Sequence, residues 1–134
     1  KKQTELCAQV PRTTALLEAL PLARQDGFAP TAMFSRLDAR THIPPHTGSS
    51  NVRLITHLPL ILPGPAWFRV GNETRDWKMG EAWVFDDTIE HEAMNEADIA
   101  RVILIFDVWN PYLSEAERDL VTALMIAGNA YYDA

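Results

Sequence analysis

The chain has 134 residues, of which 47% are hydrophobic, and this size is typical of a single domain with one buried core. Its 12 basic and 18 acidic residues give a net charge of −6, which disfavours nucleic acid or an anionic membrane as partner because both select cationic surfaces. Cys7, the only cysteine, excludes an intrachain disulfide and a four-cysteine zinc site, and it fits a reducing, cytoplasmic location.

Two helices with a β-rich body between them are predicted in chain order. Residues Pro11 to Pro21 place leucines on one side between flanking prolines, which indicates a short N-terminal helix. From Ala32 to Val108, short apolar or alternating runs are separated by turn-forming residues, as in antiparallel sandwiches and barrels. No apolar run reaches the roughly 18 residues of a membrane-spanning helix. We expect one domain over residues 1–134, and a start at Lys1 without an initiator methionine leaves a longer parent chain open.

Several segments predict individual elements. Gly71-Asn72 between two alternating runs predicts a tight hairpin turn. The run from Arg101 to Trp109 is apolar at successive positions, which indicates a central strand covered on both faces. Ser114 and Glu117 form a predicted capping box at the start of a C-terminal helix, for which Gly128 is the predicted stop. The four tryptophans are assigned to packing rather than to a substrate groove: Trp67, Trp77, Trp83 and Trp109.

Two histidines are candidate metal ligands. His46 follows a proline pair and precedes Thr47-Gly48, so the backbone on one side is stiff and on the other permits a tight turn. Iron enzymes often carry an acidic ligand two residues after such a histidine, where this chain has Gly48. His91 lies in an acidic segment at the start of an apolar run. Each histidine alone is equally consistent with a surface turn, but two histidines on separate strands of a small barrel can form a metal site at its mouth.

Four further side chains are candidates for binding an anion. Arg101 opens the most apolar strand, where its guanidinium needs a partner, either a ligand carboxylate or a structural ion pair with Asp107 or with one of Asp86 and Asp87. Arg53 and His57 share one face of an extended segment, so they enter a common cavity unless Arg53 faces solvent and His57 is a core histidine. Ser35 either donates its hydroxyl to a carboxylate or lies on a strand without a functional role.

Four blocks of this sequence resemble, in the same order, the catalytic domain of the aspartyl/asparaginyl β-hydroxylases, a branch of the Fe(II)- and 2-oxoglutarate-dependent oxygenases. The blocks are PHTGSSNVRL, GNETRDW, VFDDTIEHEA and Arg101 with FDVWNPYL, and the similarity extends from about Pro11 to Leu113. The resemblance implies a double-stranded β-helix, also called a jelly roll or cupin-like barrel. It also implies hydroxylation of the β-carbon of aspartate or asparagine in a peptide, amino acid or carrier-bound amino acid, with O2 consumed and succinate and CO2 formed.

The resemblance implies an unusual metal site. His46 and His91 would hold Fe(II) with no protein carboxylate, which accounts for the glycine at position 48. Asp86 and Asp87 belong to the family motif without being its iron ligands. We interpret them as residues that shape the turn before His91 and as acceptors near the metal ligands.

The resemblance also assigns the cosubstrate pocket. Arg101 matches the arginine that binds the distal carboxylate of 2-oxoglutarate, and Ser35 matches the hydroxyl that assists it. His57 matches a histidine near the other end of the cosubstrate, and Arg53 matches a family arginine. The chain departs from the pattern at Ile55, where the most studied members carry arginine.

Two other functions compete with hydroxylation at this stage. Related halogenases also lack the acidic ligand, and chloride fills its place. A cupin-like module that binds a small molecule, zinc or nickel without redox turnover is the second, because two histidines and water do not select iron by affinity.

Overall fold

The computed structural model describes residues 2–25 and 31–132. In that part of the chain, helices flank a body of eight strands. The elements in chain order are α1 Thr4–Gln9, α2 Pro11–Glu18, β1 Ala32–Leu37, β2 His42–His46, β3 Arg53–Ile61, β4 Ala66–Val70, β5 Glu73–Asp76, β6 Trp83–Phe85, β7 His91–Asn95, β8 Arg101–Trp109 and α3 Glu115–Tyr132.

The strands form two four-stranded antiparallel sheets. Their orders are β1-β8-β3-β6 and β2-β7-β4-β5, so strands that are distant in the sequence lie side by side. This arrangement is the jelly roll that the sequence predicts, with a short helical segment before it and a longer helix after it. None of the helices in the described residues combines the length and hydropathy needed to cross a bilayer.

Strand β8 is covered on both faces, as its continuous apolar pattern predicts. Ile103 is fully buried in a cluster that fills the space between the sheets, and the other buried members are Leu37, Ala66, Phe68, Trp77 and Ala93. Its neighbour Leu104 points to the opposite face and packs with Phe106, Leu22 and Leu17, the last of these from α2. Each such side chain contributes about 1.5–3 kcal/mol by leaving water. Strand β8 therefore fixes the position of Arg101 at its start.

The turn and capping predictions have different outcomes. Gly71 adopts a φ of 56° in the turn between β4 and β5, which confirms the hairpin. The backbone N–H of Ser114 donates to Glu117 Oε2 over 2.7 Å and the N–H of Glu117 donates to Ser114 Oγ over 3.4 Å, which confirms the capping box.

The predicted stop at Gly128 is wrong, because α3 continues through it to Tyr132. A glycine ends a helix when it adopts the left-handed conformation, and Gly128 does not do so. At the other end of the chain, α2 agrees with the predicted N-terminal helix, whereas α1 was not predicted.

Candidate functional site

A cavity of about 290 Å³ is lined from both sheets and contains every side chain that the sequence singled out for chemistry. These six residues are Ser35, His46, Arg53, His57, His91 and Arg101. The remaining lining residues are seven apolar side chains and two aspartates: Met33, Ile43, Ile55, Phe68, Phe85, Ala93, Ile105, Asp87 and Asp107. The structure thus brings together residues from seven different strands and one loop, while their roles remain predictions.

His46 and His91 face each other across neighbouring strands. They are register partners between β2 and β7, and their ring centroids lie 4.2 Å apart. The pairing register shifts between Ile43 and His46, where Pro44 and its neighbour lack the N–H groups that a regular ladder needs. The proline pair thus sets where His46 meets its partner.

Both histidines are oriented by the same local hydrogen bond. Nδ1 of His46 bonds the carbonyl of Pro44, and Nδ1 of His91 bonds the carbonyl of Ile89, each over 2.8 Å. A carbonyl can only accept, so each Nδ1 carries the proton and each Nε2 of the neutral ring keeps its lone pair. Two neighbouring unprotonated Nε2 atoms are the donor set that a divalent transition metal requires.

Asp87 occupies the space beside Gly48. Its Oδ1 lies 3.5 Å from His91 Nε2, and its backbone carbonyl accepts a 2.7 Å hydrogen bond from Gly48 N–H. A Cβ atom at position 48 would lie only 1.5 Å from Asp87 Oδ2. A carboxylate therefore stands next to the histidine pair although residue 48 has no side chain.

The turn that leads to His91 is organised by Asp86. Its Oδ1 accepts hydrogen bonds from the N–H and the hydroxyl of Thr88, over 2.9 Å and 2.6 Å, and these bonds lower the pKa of Asp86. This geometry agrees with the sequence interpretation of Asp86 as a residue that shapes the turn.

Arg101 is a buried guanidinium without a carboxylate. It is 2% exposed, and its Nη1 donates to the carbonyl and the hydroxyl of Ser35 over 3.1 Å and 3.3 Å. Its Nε has no hydrogen-bond partner within the described residues, where no carboxylate lies within 4 Å of it. Burial lowers the pKa of Arg101 to about 10, so it is charged at neutral pH. Because no carboxylate of the described residues lies within 4 Å of Arg101, the alternative of a structural ion pair with Asp107, Asp86 or Asp87 is wrong.

Trp77 provides the surface on which this guanidinium rests. The Arg101 Cζ lies 4.6 Å from the centroid of the Trp77 ring, and Trp77 itself stacks between Phe68 and Trp83. The face of an indole attracts a cation, which offsets part of the cost of burying Arg101. The assignment of Trp77 to packing was therefore incomplete, because no local sequence pattern links it to Arg101.

His57 is a buried neutral imidazole. It is 6% exposed, it lies among the rings of Phe68, Phe85 and Trp77, and its Nδ1 has no partner in the described part of the chain. Burial, followed by the positive charge of Arg101 and the electrostatic effect of His91, lowers the pKa of His57 to about 3. An unpaired, buried nitrogen in this cavity is available to a ligand that enters it.

Arg53 differs from Arg101 because its charge already has a partner. Its Nη1 donates to Asp107 Oδ2 over 2.6 Å, and the Asp107 side chain is 6% exposed. Burial raises the pKa of Asp107 to about 6, against the opposing effect of Arg53. The strand register places Ile55 directly opposite Asp107, so an apolar side chain and an ion pair form this side of the cavity.

The donor set fits a metal held mainly by solvent and ligand. The described residues contain no group of three or more His, Cys, Asp and Glu side chains arranged to hold a metal ion. The two histidines are one protein ligand short of such a group, so a metal that they held would take its remaining ligands from outside the chain.

Comparison with known proteins gives one consistent family. A family model described as "Aspartyl/Asparaginyl beta-hydroxylase" matches residues 1–111. The aspartyl/asparaginyl beta-hydroxylases of Mus musculus and Homo sapiens are 37% and 36% identical over 126 residues, which cover 92% of this chain. The match covers 17% and 16% of those relatives, so the chain spans about a sixth of their length.

A bacterial relative has a different substrate in its name. The ornithine lipid ester-linked acyl 2-hydroxylase of Rhizobium tropici is 40% identical over 109 residues, which cover 79% of this chain and 37% of that protein.

Solved structures support the fold alone. The cupin domain of Schizosaccharomyces pombe Cnp3 has a TM-score of 0.50 at 14% identity and covers 59% of this chain and 52% of that one. The plu4264 protein of Photorhabdus luminescens has a TM-score of 0.50 at 13% identity, with 76% and 78% covered. The jelly roll is therefore cupin-like.

Proposed function

Because the chain belongs to the aspartyl/asparaginyl β-hydroxylase family, we propose that this domain is an Fe(II)- and 2-oxoglutarate-dependent dioxygenase. The relatives support a hydroxylase activity, and the dependence on iron and 2-oxoglutarate is the further step of our proposal for this chain. The candidate substrates are an aspartyl or asparaginyl residue or related amino acid, hydroxylated at its β-carbon, and an ester-linked acyl chain like the one in the name of the Rhizobium relative.

One observation carries this proposal: the cavity combines two neighbouring Nε2 lone pairs with a buried guanidinium that has no carboxylate partner among the described residues. The first feature suits a metal, and the second suits an anionic ligand. A dicarboxylate that chelates the metal with one end and meets Arg101 with the other would satisfy both.

The proposed reaction consumes O2 and 2-oxoglutarate and inserts one oxygen atom into a substrate C–H bond. The other oxygen atom enters succinate, and CO2 carries away the remaining carbon of the cosubstrate. Iron(II) held by His46 and His91 would supply the activation of O2 that couples these two oxidations.

The protein's own groups would hold the cosubstrate in place. Arg101 and Ser35 would bind its distal carboxylate through charge-assisted hydrogen bonds, and Trp77 keeps the guanidinium in position before it arrives. His57, neutral at working pH, would donate or accept a hydrogen bond from its unpaired Nδ1. Asp87 would accept a hydrogen bond from water beside His91.

The experiment is anaerobic loading with Fe(II), followed by O2 and 2-oxoglutarate and measurement of succinate. We expect succinate to form only when all three are present, and mass spectrometry of accepted substrates should show a gain of one oxygen atom. A protein that binds metal but forms no succinate would be a cupin-like binding module with zinc or nickel as candidate metals. A chlorinated product that depends on chloride would identify a halogenase instead.

A further inference from the structure

The two arginines that line the cavity differ in whether a carboxylate of the described residues pairs with them. Arg101 has no carboxylate within 4 Å in the described part of the chain, whereas Arg53 donates to Asp107 over 2.6 Å. Asp107 is 4% exposed, so the negative charge that faces Arg53 belongs to the wall of the cavity and not to a mobile surface side chain. The cavity thus offers one guanidinium for a new anion, and the proposed function assigns it to the cosubstrate.

Ile55 gives this wall of the cavity an uncharged side chain. It lies on the same strand face as Arg53 and His57, opposite Asp107, and it is 9% exposed. An arginine at this position would bring a further positive charge to the cavity surface. In this chain the position contributes only apolar surface.

Once the cosubstrate is bound, the cavity has no arginine left for a substrate carboxylate. Arg53 is paired with Asp107, which is ionised at pH 7.5 because its pKa is about 6, and the proposed function assigns Arg101 to the cosubstrate. His57 is neutral. A substrate carboxylate would therefore bring a negative charge into the cavity without a free positive partner among the lining residues, which is costly.

We infer that the part of the substrate that enters this cavity is an uncharged alkyl segment, as in an acyl chain, and that Ile55 together with the Arg53–Asp107 pair excludes an aspartyl carboxylate. The inference rests on the proposed function and selects one of its two substrate classes. The atoms of the reaction balance. One atom of O2 converts a C–H bond into C–OH, and the other enters succinate as 2-oxoglutarate loses CO2.

The apolar lining supports an alkyl segment over a side-chain amide. Met33 is 45% exposed and lines the cavity from strand β1, and Ile43 and Ile105 line it from β2 and β8. The polar groups of this part of the cavity already have hydrogen-bond partners. The hydroxyl of Ser35 accepts from Arg101, and Arg53 donates to Asp107. An amide that enters needs several new partners, whereas an alkyl chain needs none.

The test compares three probes with the iron-loaded protein: monopalmitoylglycerol in mixed micelles, an aspartyl peptide and the matching asparaginyl peptide. Variants are Asp107→Asn, which frees Arg53, and Ile55→Arg, with Asp38→Asn as the matched control because Asp38 pairs with Arg36 on the surface. We expect the unmodified protein to hydroxylate the acyl chain and not the aspartyl peptide. Each pocket variant should shift the ratio of aspartyl to acyl product by about tenfold or more, as one compensated charge would.

The outcomes separate this inference from the proposed function. Hydroxylation of either peptide in preference to the acyl chain, or succinate formation without any acyl product, would overturn the inference and leave the dioxygenase proposal intact. The absence of succinate under every condition would remove the proposed function, and the inference with it. A shift in product ratio equal to that of Asp38→Asn would show that Asp107 does not determine specificity.

Discussion

His46 and His91 face each other between β2 and β7 with ring centroids 4.2 Å apart, and each ring is held by a hydrogen bond from Nδ1 to the carbonyl two residues before it. If the pair holds iron, His46→Ala or His91→Ala should lower metal affinity by about 100-fold or more, because half of the protein ligands are lost. Anaerobic titration with Co(II), followed by absorption spectroscopy, measures this affinity.

The control for the histidine variants is His42→Ala. His42 lies on the same strand as His46, but its Nε2 pairs with Glu92 and its ring is partly exposed. Its replacement should leave the Co(II) spectrum unchanged. Equal affinity in the His46→Ala protein would place the metal elsewhere.

Arg101→Ala should raise the KM for 2-oxoglutarate by about 10- to 100-fold, because hydrogen bonds to a charged group contribute about 1.5–3 kcal/mol each. Ser35→Ala should have a smaller effect, of about fivefold, because its hydroxyl is neutral. Steady-state formation of succinate measures both. Arg36→Ala, which removes a surface arginine from the same strand as Ser35, should leave the KM unchanged. An unaltered KM for Arg101→Ala would show that this residue has only a structural role.

Trp77→Leu should raise the KM for 2-oxoglutarate by about 2- to 30-fold with little change in kcat, because it removes the ring on which the Arg101 guanidinium lies. Trp77→Phe should recover part of the loss, since it retains an aromatic face. Trp67→Phe controls for loss of an indole, because Trp67 hydrogen-bonds Glu96 outside the cavity. If Trp77→Leu lowers thermal stability and leaves the KM unaffected, Trp77 serves packing alone.

Gly48→Ala should destabilise the metal-free protein, because the added Cβ would lie 1.5 Å from Asp87 Oδ2 and must displace that carboxylate. In an Asp87→Ala background the same substitution should cost much less. A double-mutant cycle from thermal unfolding should give a coupling of about 0.5–3 kcal/mol. Additive effects would mean that Asp87 moves away without cost.

The change in folding stability at acidic pH should depend on two buried groups whose protonation has opposite effects on stability. The pKa of His57 falls from 6.5 to about 3 on folding, so the unfolded chain binds the extra proton and stability decreases as pH falls below 6.5. The pKa of Asp107 rises from 3.8 to about 6, so the folded chain binds the proton and stability increases as pH falls through this window.

Asp107→Asn should therefore make the loss of stability between pH 6 and pH 4 steeper, and His57→Gln should make it shallower. Urea unfolding of the metal-free protein at several pH values measures the slopes, and Asp38→Asn should behave like the unmodified chain. Identical slopes in the two pocket variants would contradict the assigned burial effects.

Local patterns in the sequence predicted the elements that depend on local chemistry. Strand β8 begins and ends where its apolar run does, and the Ser114–Glu117 capping box forms as its spacing indicates. Helix α3 continues through Gly128, because a glycine permits the left-handed conformation without requiring it. The six candidate side chains that were chosen from the residues and the family resemblance all line one cavity, although their chemical roles remain predictions.

Contacts between distant strands could not be predicted from the chain alone. Asp107 pairs with Arg53 and not with Arg101, because β3 and β8 lie side by side in a register that no local pattern specifies. The contact between Trp77 and Arg101 has the same origin, since a tryptophan that packs in a core and one that supports a cation look identical in the sequence.

The contact that a side chain at position 48 would make with Asp87 also affects the order in which mutations can alter this site. Any mutation that gives residue 48 a side chain meets the Asp87 carboxylate unless that group has already been shortened or moved. A mutational path toward an acidic third ligand at position 48 is therefore favoured when residue 87 is altered first. A library that randomises the two codons together would reach variants that stepwise selection at codon 48 would discard.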